Sequence, residues 1–500
     1  TNPEVQDFHV YLPMLSKVVL TTDVAIADVQ LSPNPIAIGD TVHLSFSITN
    51  LGLTPSVEFP VDWKVVPLGE TEPLASGSFV VPALSYGQIA VLEADYQALI
   101  AGPFDVQVVA DPFFENPDPI PANNSRSVEL GVTGIVEFCG TITKDTVWAY
   151  ATYVLGCNVE LPEGISLLVR SGAVIKPTQQ SIFINVLGNM ELRGTETTPV
   201  VITSINDEEY GADANGEPTI PPSAGEWNKV FIGSTGVVNA SHALLRYGLM
   251  PFWSDQGYLI VSDSVMEYFF SGTQINNGFI NFQDNIIRNS NNRGLLYYNN
   301  GPFLAEPTLI NNHFENNTGY AVVFSSYYEY TLDTSQVYGN TASNNGFNGI
   351  QLGGTLGGSS ILSNAGIPYV LDLSQEGWES IYIPAGGELS IQPGTIIKLN
   401  PGNYDYAMGT GIEVAGSLLA QGTESEPIVF TSIKDDSYGG DTNNDGNATV
   451  PAVGDWTRHF VHEGAAATFE HVIIQYGGGQ LSGQSLESIR CDAGELHLLN

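Results

Sequence analysis

Three short segments near the middle of the chain share a pattern that decides its fold: NIIRN at 285–289, NHFEN at 312–316 and NTASN at 340–344. They recur after 27 and then 28 residues, and each is followed by a glycine and an apolar segment. A repeat of this length is typical of a parallel β-helix, in which each strand pairs with the coil above and the coil below. We expect an inward Asn at a corner of each coil, forming a ladder that satisfies buried amides.

The same pattern of short strands extends in both directions from these segments. From about residue 133, apolar stretches of four to six residues alternate with Gly, Asn or Pro, as at 165–169, 173–176 and 182–186. Such strands are too short for a stable sheet unless they stack on copies of themselves. Residues 133–500 resemble the right-handed parallel β-helix proteins of the pectate-lyase-like class. The resemblance implies a fold and does not by itself imply an activity.

A long duplication divides this region into two blocks. The segment TSINDEEYGADANGEPTIPPSAGEW (203–227, the first loop) returns as TSIKDDSYGGDTNNDGNATVPAVGDW (431–456, the second loop). Both begin with Thr-Ser-Ile and end with Gly, an acidic residue and Trp, and the second loop is one residue longer. We therefore predict block 1 over 133–360 and block 2 over 361–500, with block 2 an incomplete repeat of block 1.

Block 2 stops before the coils that would match the Asn repeat of block 1. A β-helix that ends inside a coil leaves open strand edges and an exposed apolar core. We expect the natural chain to continue beyond Asn500, and head-to-tail assembly with another copy is the second expectation.

The N-terminal part of the chain has a different sequence pattern. Residues 1–20 contain an apolar patch, FHVYLPML at 8–15, which either packs on the first domain or adds a strand to a neighbouring molecule. Residues 21–132 show about seven alternating segments with regularly spaced turns, which predicts an Ig-like β-sandwich.

This stretch also resembles a known family of modules. The segments PIAIGD at 35–40, ITNLG at 48–52 and AGPF at 101–104 resemble the CARDB family of bacterial Ig-like adhesion modules. The resemblance implies a spacer or adhesive role and carries no active-site residues. The predicted fold class is therefore all-β, with an Ig-like sandwich followed by a right-handed parallel β-helix.

The charge of the chain argues against several classes of partner. With 15 basic and 54 acidic residues, the net charge is −39 at pH 7, which disfavours binding to nucleic acids or anionic membranes. No apolar run is long enough to span a bilayer. The chain starts at a Thr, and we interpret it as the mature form of a secreted, extracellular protein of a cell surface or matrix.

The three cysteines leave two interpretations open. Cys139 and Cys157 lie 18 residues apart, and in an oxidising compartment they are expected to form a disulfide. The alternative is a pair of buried free thiols. No partner is predicted for Cys491.

The second loop contains a candidate calcium site. Asp441, Asn443 and Asp445 precede Gly446 in a D-x-N-x-D-G spacing, which places alternating oxygen ligands on a tight turn and suits a hard cation. The spacing resembles the first half of EF-hand, dockerin and thrombospondin-type calcium loops. It departs from the EF-hand at Ala452, where that family has a bidentate Glu.

Further ligands for calcium are predicted in both loops. In the second loop they are Asp435 and Asp436, and in the first loop they are Asp207, Asp213 and Asn215. Calcium would act as a structural cofactor that pins each loop to the coils. The alternative is a plain solvated acidic turn.

Aromatic residues suggest a second kind of site. Exposed tyrosines stack well on sugars, and the candidates are Tyr297, Tyr298, Tyr327, Tyr328 and Tyr330. Strand alternation should turn half of each pair inward. Trp227 and Trp456, which close the two loops, are expected to be packing anchors, with a sugar platform as the alternative.

An enzyme would need a different arrangement. A lyase requires a basic Arg or Lys beside calcium-bound carboxylates, and a hydrolase requires carboxylates that face one groove. The basic residues of the central coils of block 1 are Lys229, Arg246, Arg288 and Arg293. None lies in a dense carboxylate cluster in sequence, and Arg246 becomes Gln475 in block 2.

The sequence as a whole favours a secreted structural or adhesive protein of a bacterial surface or matrix, built on a calcium-stabilised β-helix rod. Its expected partners are copies of itself, through head-to-tail contact or strand addition, which would produce filaments. The alternatives are a lyase or hydrolase that acts on acidic glycans, and a non-catalytic protein that binds acidic or neutral glycans.

Overall fold

The computed structural model describes most of the chain. The described residues are 21–216, 220–299, 304–326, 328–372, 381–400, 411–481, 484–485 and 487–500. Among them, every regular element is a β-strand except one turn of 3-10 helix at Pro121–Asn124. No described helix is long and apolar enough to cross a membrane. The chain divides into two compact units, with the boundary in the sequence between Thr133 and Gly134.

The first unit consists of two antiparallel sheets, β1-β3-β6 and β2-β8-β7-β4-β5. Its strands, in chain order, are β1 (Val24–Ser32), β2 (Ile36–Ala37), β3 (Thr41–Asn50), β4 (Phe59–Pro67), β5 (Ala75–Val81), β6 (Ile89–Gln97), β7 (Gly102–Ala110) and β8 (Ser125–Thr133). Only the short pair β2–β8 is parallel. The core follows from strand alternation, since Val42, Leu44, Phe46 and Ile48 of β3 are all fully buried.

The first part of the second unit is a series of short strands. They are β9 (Ile135–Thr141), β10 (Thr146–Trp148), β11 (Thr152–Leu161), β12 (Ser166–Arg170), β13 (Val174–Pro177), β14 (Ile184–Val186), β15 (Asn189–Arg193), β16 (Val200–Ile202), β17 (Val230–Ile232), β18 (Val237–Ser241), β19 (Ala243–Arg246), β20 (Phe252–Asp255), β21 (Tyr258–Ser262), β22 (Val265–Glu267), β23 (Thr273–Asn276), β24 (Phe279–Gln283), β25 (Ile286–Arg288), β26 (Leu295–Tyr298), β27 (Leu304–Ala305), β28 (Thr308–Ile310), β29 (His313–Glu315), β30 (Tyr320–Ser325), β31 (Thr331–Leu332), β32 (Val337–Tyr338), β33 (Thr341–Ser343) and β34 (Phe347–Leu352).

The remaining strands continue this series to the end of the chain. They are β35 (Gly354–Thr355), β36 (Ser359–Leu362), β37 (Tyr369–Asp372), β38 (Ile381–Ile383), β39 (Glu388–Ile391), β40 (Ile396–Asn400), β41 (Ile412–Val414), β42 (Ser417–Gln421), β43 (Ile428–Ser432), β44 (His459–Val461), β45 (Ala466–Glu470), β46 (Val472–Ile474), β47 (Gln480–Leu481), β48 (Gln484–Ser485), β49 (Ile489–Cys491) and β50 (Glu495–Leu499).

Apart from the antiparallel pair β47–β48, these strands wind as successive coils. Three consecutive strands, such as β19, β20 and β21, pair in parallel with the next three, β22, β23 and β24. One long parallel sheet of this kind runs from β9 to β46. The predicted fold class is confirmed: an antiparallel sandwich is followed by the parallel pairing of a β-helix.

The predicted Asn ladder is confirmed at one corner of the coils. The side-chain Nδ2 of Asn285 donates to Oδ1 of Asn312 at 3.0 Å, and Nδ2 of Asn312 donates to Oδ1 of Asn340 at 3.1 Å. The backbone amides of Asn285 and Asn312 donate to the same two oxygens. Each amide therefore ties one coil to the next in the interior, where an unpaired amide would be costly.

A second ladder was not predicted from the sequence. Nδ2 of Asn317 donates to Oδ1 of Asn345 at 2.8 Å, and the Ser290 amide donates to Oδ1 of Asn317 at 3.0 Å. The residue before each member has a left-handed backbone, with φ of 56° at Asn289 and 54° at Asn316. Asn tolerates this conformation better than most residues, so the repeated Asn pair both turns the corner and bridges the coils.

Candidate functional site

A buried lysine holds each of the two loops against the coils. Lys176 donates from Nζ to the carbonyl oxygens of Asp207 at 2.7 Å and Ala212 at 3.0 Å. Lys398 donates to the carbonyls of Asp435 at 2.8 Å and Gly440 at 2.6 Å. Both lysines are fully buried. In both blocks, a buried ammonium therefore ties the loop to the coils.

Burial shifts the protonation of both lysines in the same direction. It lowers the pKa of Lys398 to about 8, against the opposing effect of Asp436, Asp435 and Asp441. It also lowers the pKa of Lys176. Two carbonyl acceptors stabilise each ammonium, because charge-assisted hydrogen bonds are stronger than neutral ones.

The first turn of each loop is built in the same way. The hydroxyl of Thr203 donates to Oδ2 of Asp207 at 2.5 Å, and Thr431 makes the same bond to Asp435 at 2.5 Å. The paired strands place these threonines beside the lysines, since Lys398 lies opposite Thr431 in the register. The carboxylates of Asp207 and Asp435 thus each accept a hydrogen bond within the first turn of their own loop.

The two tryptophans close the loops as packing anchors. Trp227 donates from Nε1 to the carbonyl of Arg246 at 2.7 Å, and Trp456 donates to the carbonyl of Gln475 at 2.8 Å. Trp227 is 0% exposed and Trp456 is 1% exposed. Neither ring can serve as a platform for a sugar.

The first loop is additionally held by Arg246. Its guanidinium lies 2.6 Å from a carboxylate oxygen of Glu209, 3.3 Å from Asp207 and 2.9 Å from Glu267. The Arg246 side chain is only 8% exposed. Rings of Tyr247, Tyr210 and Tyr268 surround it, with centroids 4.9, 5.4 and 5.9 Å from the guanidinium carbon.

The cluster around Arg246 continues across the coils. Glu267 also binds Arg288 at 2.7 Å, and Arg288 lies 3.3 Å from Glu315. The parallel register explains this alternation, because each of these residues lies directly opposite the next. Sequence analysis missed the cluster because its members lie one coil apart. The signal was present, since Arg246, Glu267 and Arg288 recur every 21 residues.

The chemistry of Arg246 argues for a structural role. Burial lowers the pKa of Arg246, but the carboxylates of Glu209, Asp207 and Glu267 outweigh it and leave the pKa raised. A guanidinium that stays protonated cannot abstract a proton. Arg246 does lie among carboxylates, as the basic residue of a lyase would. It is, however, buried and ion-paired with them.

The second loop brings three predicted calcium ligands onto one turn. The Asp441 carboxylate accepts the backbone amides of Asp445 at 3.1 Å and Gly446 at 2.8 Å. Nδ2 of Asn443 donates to Asp445 at 2.9 Å, and the Thr449 hydroxyl donates to the same carboxylate at 2.5 Å. The side chains of Asp441, Asn443 and Asp445 therefore converge around a tight turn.

Two oxygen atoms near this turn lack a hydrogen-bond donor. Oδ1 of Asp436 and Oδ1 of Asn443 are buried and have no partner in the described part of the chain. Burial and the neighbouring carboxylates of Asp441 and Asp445 raise the pKa of Asp436, despite the opposing Lys398. Buried acceptors of this kind are normally satisfied, and a hard cation would satisfy them. Across the described ranges, no group of three or more His, Cys, Asp or Glu side chains has a metal-binding arrangement.

The predicted ligands of the first loop are engaged differently. Asp207 binds Thr203 and Arg246, so a guanidinium already neutralises its carboxylate. Asp213 is exposed and accepts the backbone amides of Asn215 and Gly216. The Asn215 side chain donates to Asn206 at 3.0 Å.

The proposed glycan-contact tyrosines are only partly available. Tyr297 is 6% exposed and donates its hydroxyl to the Gly278 carbonyl, and Tyr330 is 2% exposed. The expectation for these two is wrong, because strand alternation turns them into the core. Tyr298 is half-buried, Tyr328 is 61% exposed, and Tyr327 lies outside the described residues.

Cys139 and Cys157 form a disulfide between β9 and β11, and their Cα atoms are 5.1 Å apart. β9 and β11 are neighbouring parallel strands, so the bond links the first two coils. Cys491 is a free, half-buried thiol.

A buried histidine distinguishes block 2 from block 1. His459 is fully buried among Phe430, Trp456 and Phe469, and its Nδ1 accepts the backbone amide of Ile412 at 3.1 Å. Burial lowers the pKa of His459 to about 3, so the ring is neutral. The equivalent residue in block 1 is Val230.

Comparison with known proteins gives limited matches. No family model and no curated protein matches the chain. Among solved structures, the chain is similar to the CARDB domain of a Pyrococcus furiosus protein in complex with di-metal ions, at 14% identity and a TM-score of 0.20. That match covers 23% of this chain and 94% of the other.

A second similar structure is a beta-glucosidase from Listeria innocua in complex with glucose. The two chains are 13% identical at a TM-score of 0.16, over 23% of this chain and 16% of the other. At TM-scores this low, neither similarity carries an argument about function.

Proposed function

We propose that this protein is a secreted structural or adhesive component of a bacterial surface or matrix, in which calcium stabilises the β-helix. The observation that supports this most strongly is the number of side-chain bonds that join one coil to the next. Two Asn ladders, two lysine clamps and an alternating ion-pair column all link one coil to the next. These bonds stabilise the coils and leave none of those groups free for chemistry.

Secretion is supported by chemistry at two places. The Cys139–Cys157 disulfide persists in an oxidising compartment. The net charge of −39 keeps such a surface soluble and attracts divalent cations. An adhesive or spacer role for the first unit is a proposal from its CARDB-like pattern.

Calcium is proposed at the second loop only. Asp441, Asn443 and Asp445 would provide ligands, and Asp436 would use the buried oxygen that lacks a donor. A carboxylate oxygen has a second lone pair, so the backbone bonds to Asp441 do not prevent coordination. In the first loop, Arg246 already supplies the positive charge.

Titrating metal-free full-length protein with calcium tests this site. A cation that binds only the folded state raises the melting temperature, because it adds binding free energy to folding. We expect a rise of several degrees for the wild type and none for Asp445→Asn. Asp213→Asn in the first loop is the matched control and should respond as the wild type does. An unchanged wild-type melting temperature would contradict the proposal, as would an undiminished response of Asp445→Asn.

Self-association is the proposed partner interaction. A second copy, added head to tail or through a strand from residues 8–15, would extend the β-structure and produce filaments. Residues 8–15 lie outside the described ranges. Electron microscopy and sedimentation with and without calcium test the proposal, and monodisperse monomers at high calcium would refute it.

The enzyme alternative is not favoured by the cluster that resembles it most. A lyase would need Arg246 to be accessible and able to accept a proton, but it is buried and bound to three carboxylates. Polyuronate incubated with the protein should therefore keep its chain length, as measured by the absorbance of unsaturated ends.

A further inference from the structure

A cation and two aromatic rings form a patch on the outer face of block 1. The ammonium of Lys229 lies 3.6 Å from the centroid of the Trp253 ring. Phe231 and Trp253 lie directly opposite each other on neighbouring coils, with ring centroids 5.8 Å apart and planes at 87°. All three side chains are half-buried, so they form a surface rather than part of the core.

Lys229 differs from most other basic residues of the coils. Arg246 and Arg288 are bound to carboxylates, and Lys176 is bound to carbonyls. Lys229 has no carboxylate within ion-pair distance in the part of the chain that the structure describes, and burial alone lowers its pKa. The chain has 54 acidic residues against 15 basic ones, so leaving a cation without a carboxylate is informative.

The equivalent surface of block 2 is closed by its own side chains. Arg458 replaces Lys229 and Phe460 replaces Phe231 in the duplication. The guanidiniums of Arg458 and Arg490 lie 5.4 and 5.6 Å from the Phe460 ring. They also bind carboxylates, with Arg458 3.5 Å from Glu487 and Arg490 2.8 Å from Asp492.

We propose that the Lys229 patch, formed by Lys229, Phe231 and Trp253, binds a carboxylated sugar. The sugar carboxylate would bind the ammonium of Lys229. The C–H face of the sugar ring would pack on the Phe231 ring. This proposal specifies a ligand class for the proposed adhesive role and rests on that role. Binding at this site requires neither calcium nor self-association of the protein.

Two sources can provide a carboxylated sugar: a uronic acid within a polysaccharide, or a terminal sialic acid. Full-length protein is therefore titrated calorimetrically with an oligoglucuronate, with sialyllactose and with neutral lactose. We expect at least one acidic probe to bind about tenfold or more tightly than lactose, since a charged hydrogen bond contributes about that much. The acidic probe that binds identifies the source.

Variants test whether the patch is the site. Lys229→Gln should weaken binding of the acidic probe about tenfold, and Lys229→Arg should retain most of it. Arg458→Gln, at the matched position of block 2, should leave the affinity unchanged. Each variant is checked for an unchanged melting temperature before titration.

Three results would overturn the site: no acidic probe binds, lactose binds equally well, or Lys229→Gln binds as the wild type does. Calcium-dependent melting and filament formation are measured on the same preparations. Their failure with intact sugar binding would count against the proposed structural role alone, and loss of sugar binding with both intact would count against this site alone.

Discussion

The first and second loops are copies of one another that neutralise their carboxylates in different ways. Both are clamped by a buried lysine and closed by a buried tryptophan. The first loop adds Arg246, which binds three carboxylates, whereas the second has Gln475 at that place and an additional acidic turn. The clamp is therefore common to both copies, and the charge compensation around it has diverged.

This difference shows which part of a duplicated loop the coils require. The lysine satisfies loop carbonyls that would otherwise be buried without donors, and that need is the same in both blocks. The other carboxylates have different partners in the two copies: Asp207 and Glu209 bind Arg246 in the first loop, whereas Asp455 binds Lys434 in the second. The second loop also packs closely on block 1, since a Cβ added at Gly349 would lie 3.2 Å from the Thr442 side chain.

The largest loss of folding stability is expected from a substitution that makes the first loop resemble the second. Arg246→Gln removes the guanidinium that binds Glu267, Asp207 and Glu209, two of which are almost fully buried. Breaking a buried ion pair from one side costs about 3–5 kcal/mol, because the remaining charge stays buried. Urea unfolding followed by tryptophan fluorescence should show this loss, and an unchanged midpoint would mean that the pairs contribute little.

Replacing the shared clamp should have the next largest effect, and an unequal one. Lys398→Met removes two charged hydrogen bonds and should cost about 3 kcal/mol, partly offset by burying an apolar chain. Lys176→Met should cost about 2 kcal/mol, because Arg246 still holds the first loop. Limited proteolysis should cut the released loop faster in each variant. Equal costs in the two blocks would show that Arg246 gives the first loop no additional support.

Acid should affect block 2 through His459. Its pKa is about 3 in the folded state and about 6.5 when unfolded, so the neutral ring favours folding. This contribution is complete above pH 6.5 and is lost as the pH falls towards 3, by at most about 1.4 kcal/mol per pH unit.

His459→Val, which installs the block 1 residue, should remove this part of the pH dependence. The measurement is the free energy of unfolding of both proteins between pH 7 and pH 4. Parallel pH profiles for the two proteins would contradict the assignment of the acid effect to His459.

The smallest difference in stability between the two blocks is expected at the tryptophan anchors, which both loops share. Trp227→Phe and Trp456→Phe each leave one backbone carbonyl without its donor and remove part of a buried ring. Each should cost about 1–2 kcal/mol, and the two costs should be similar because both indoles donate to a backbone carbonyl at the same place in the repeat. A large difference in unfolding midpoint would show that the anchors have diverged as well.

Several features were predictable because they repeat at fixed spacing. The Asn285, Asn312 and Asn340 ladder follows from a repeat that matches one coil, and the antiparallel sandwich follows from alternation of apolar residues. Alternation predicted that some of the tyrosines would be buried, but it could not identify Tyr297 and Tyr330 as the buried ones. It defines two faces of a strand without saying which face points inward. The Arg246 cluster was missed because its three carboxylates come from two different parts of the chain.

The sequence alone determined the all-β class, the change from antiparallel to parallel pairing and the duplication of the loops. These depend on periodicity and local turn preference, which a single strand already carries. The tertiary structure decided that lysines clamp the loops, that Arg246 is enclosed by carboxylates and that Lys229 has no carboxylate partner among the described residues. Those facts depend on which residues the coil register brings side by side, and that register is set by the packing of the whole stack.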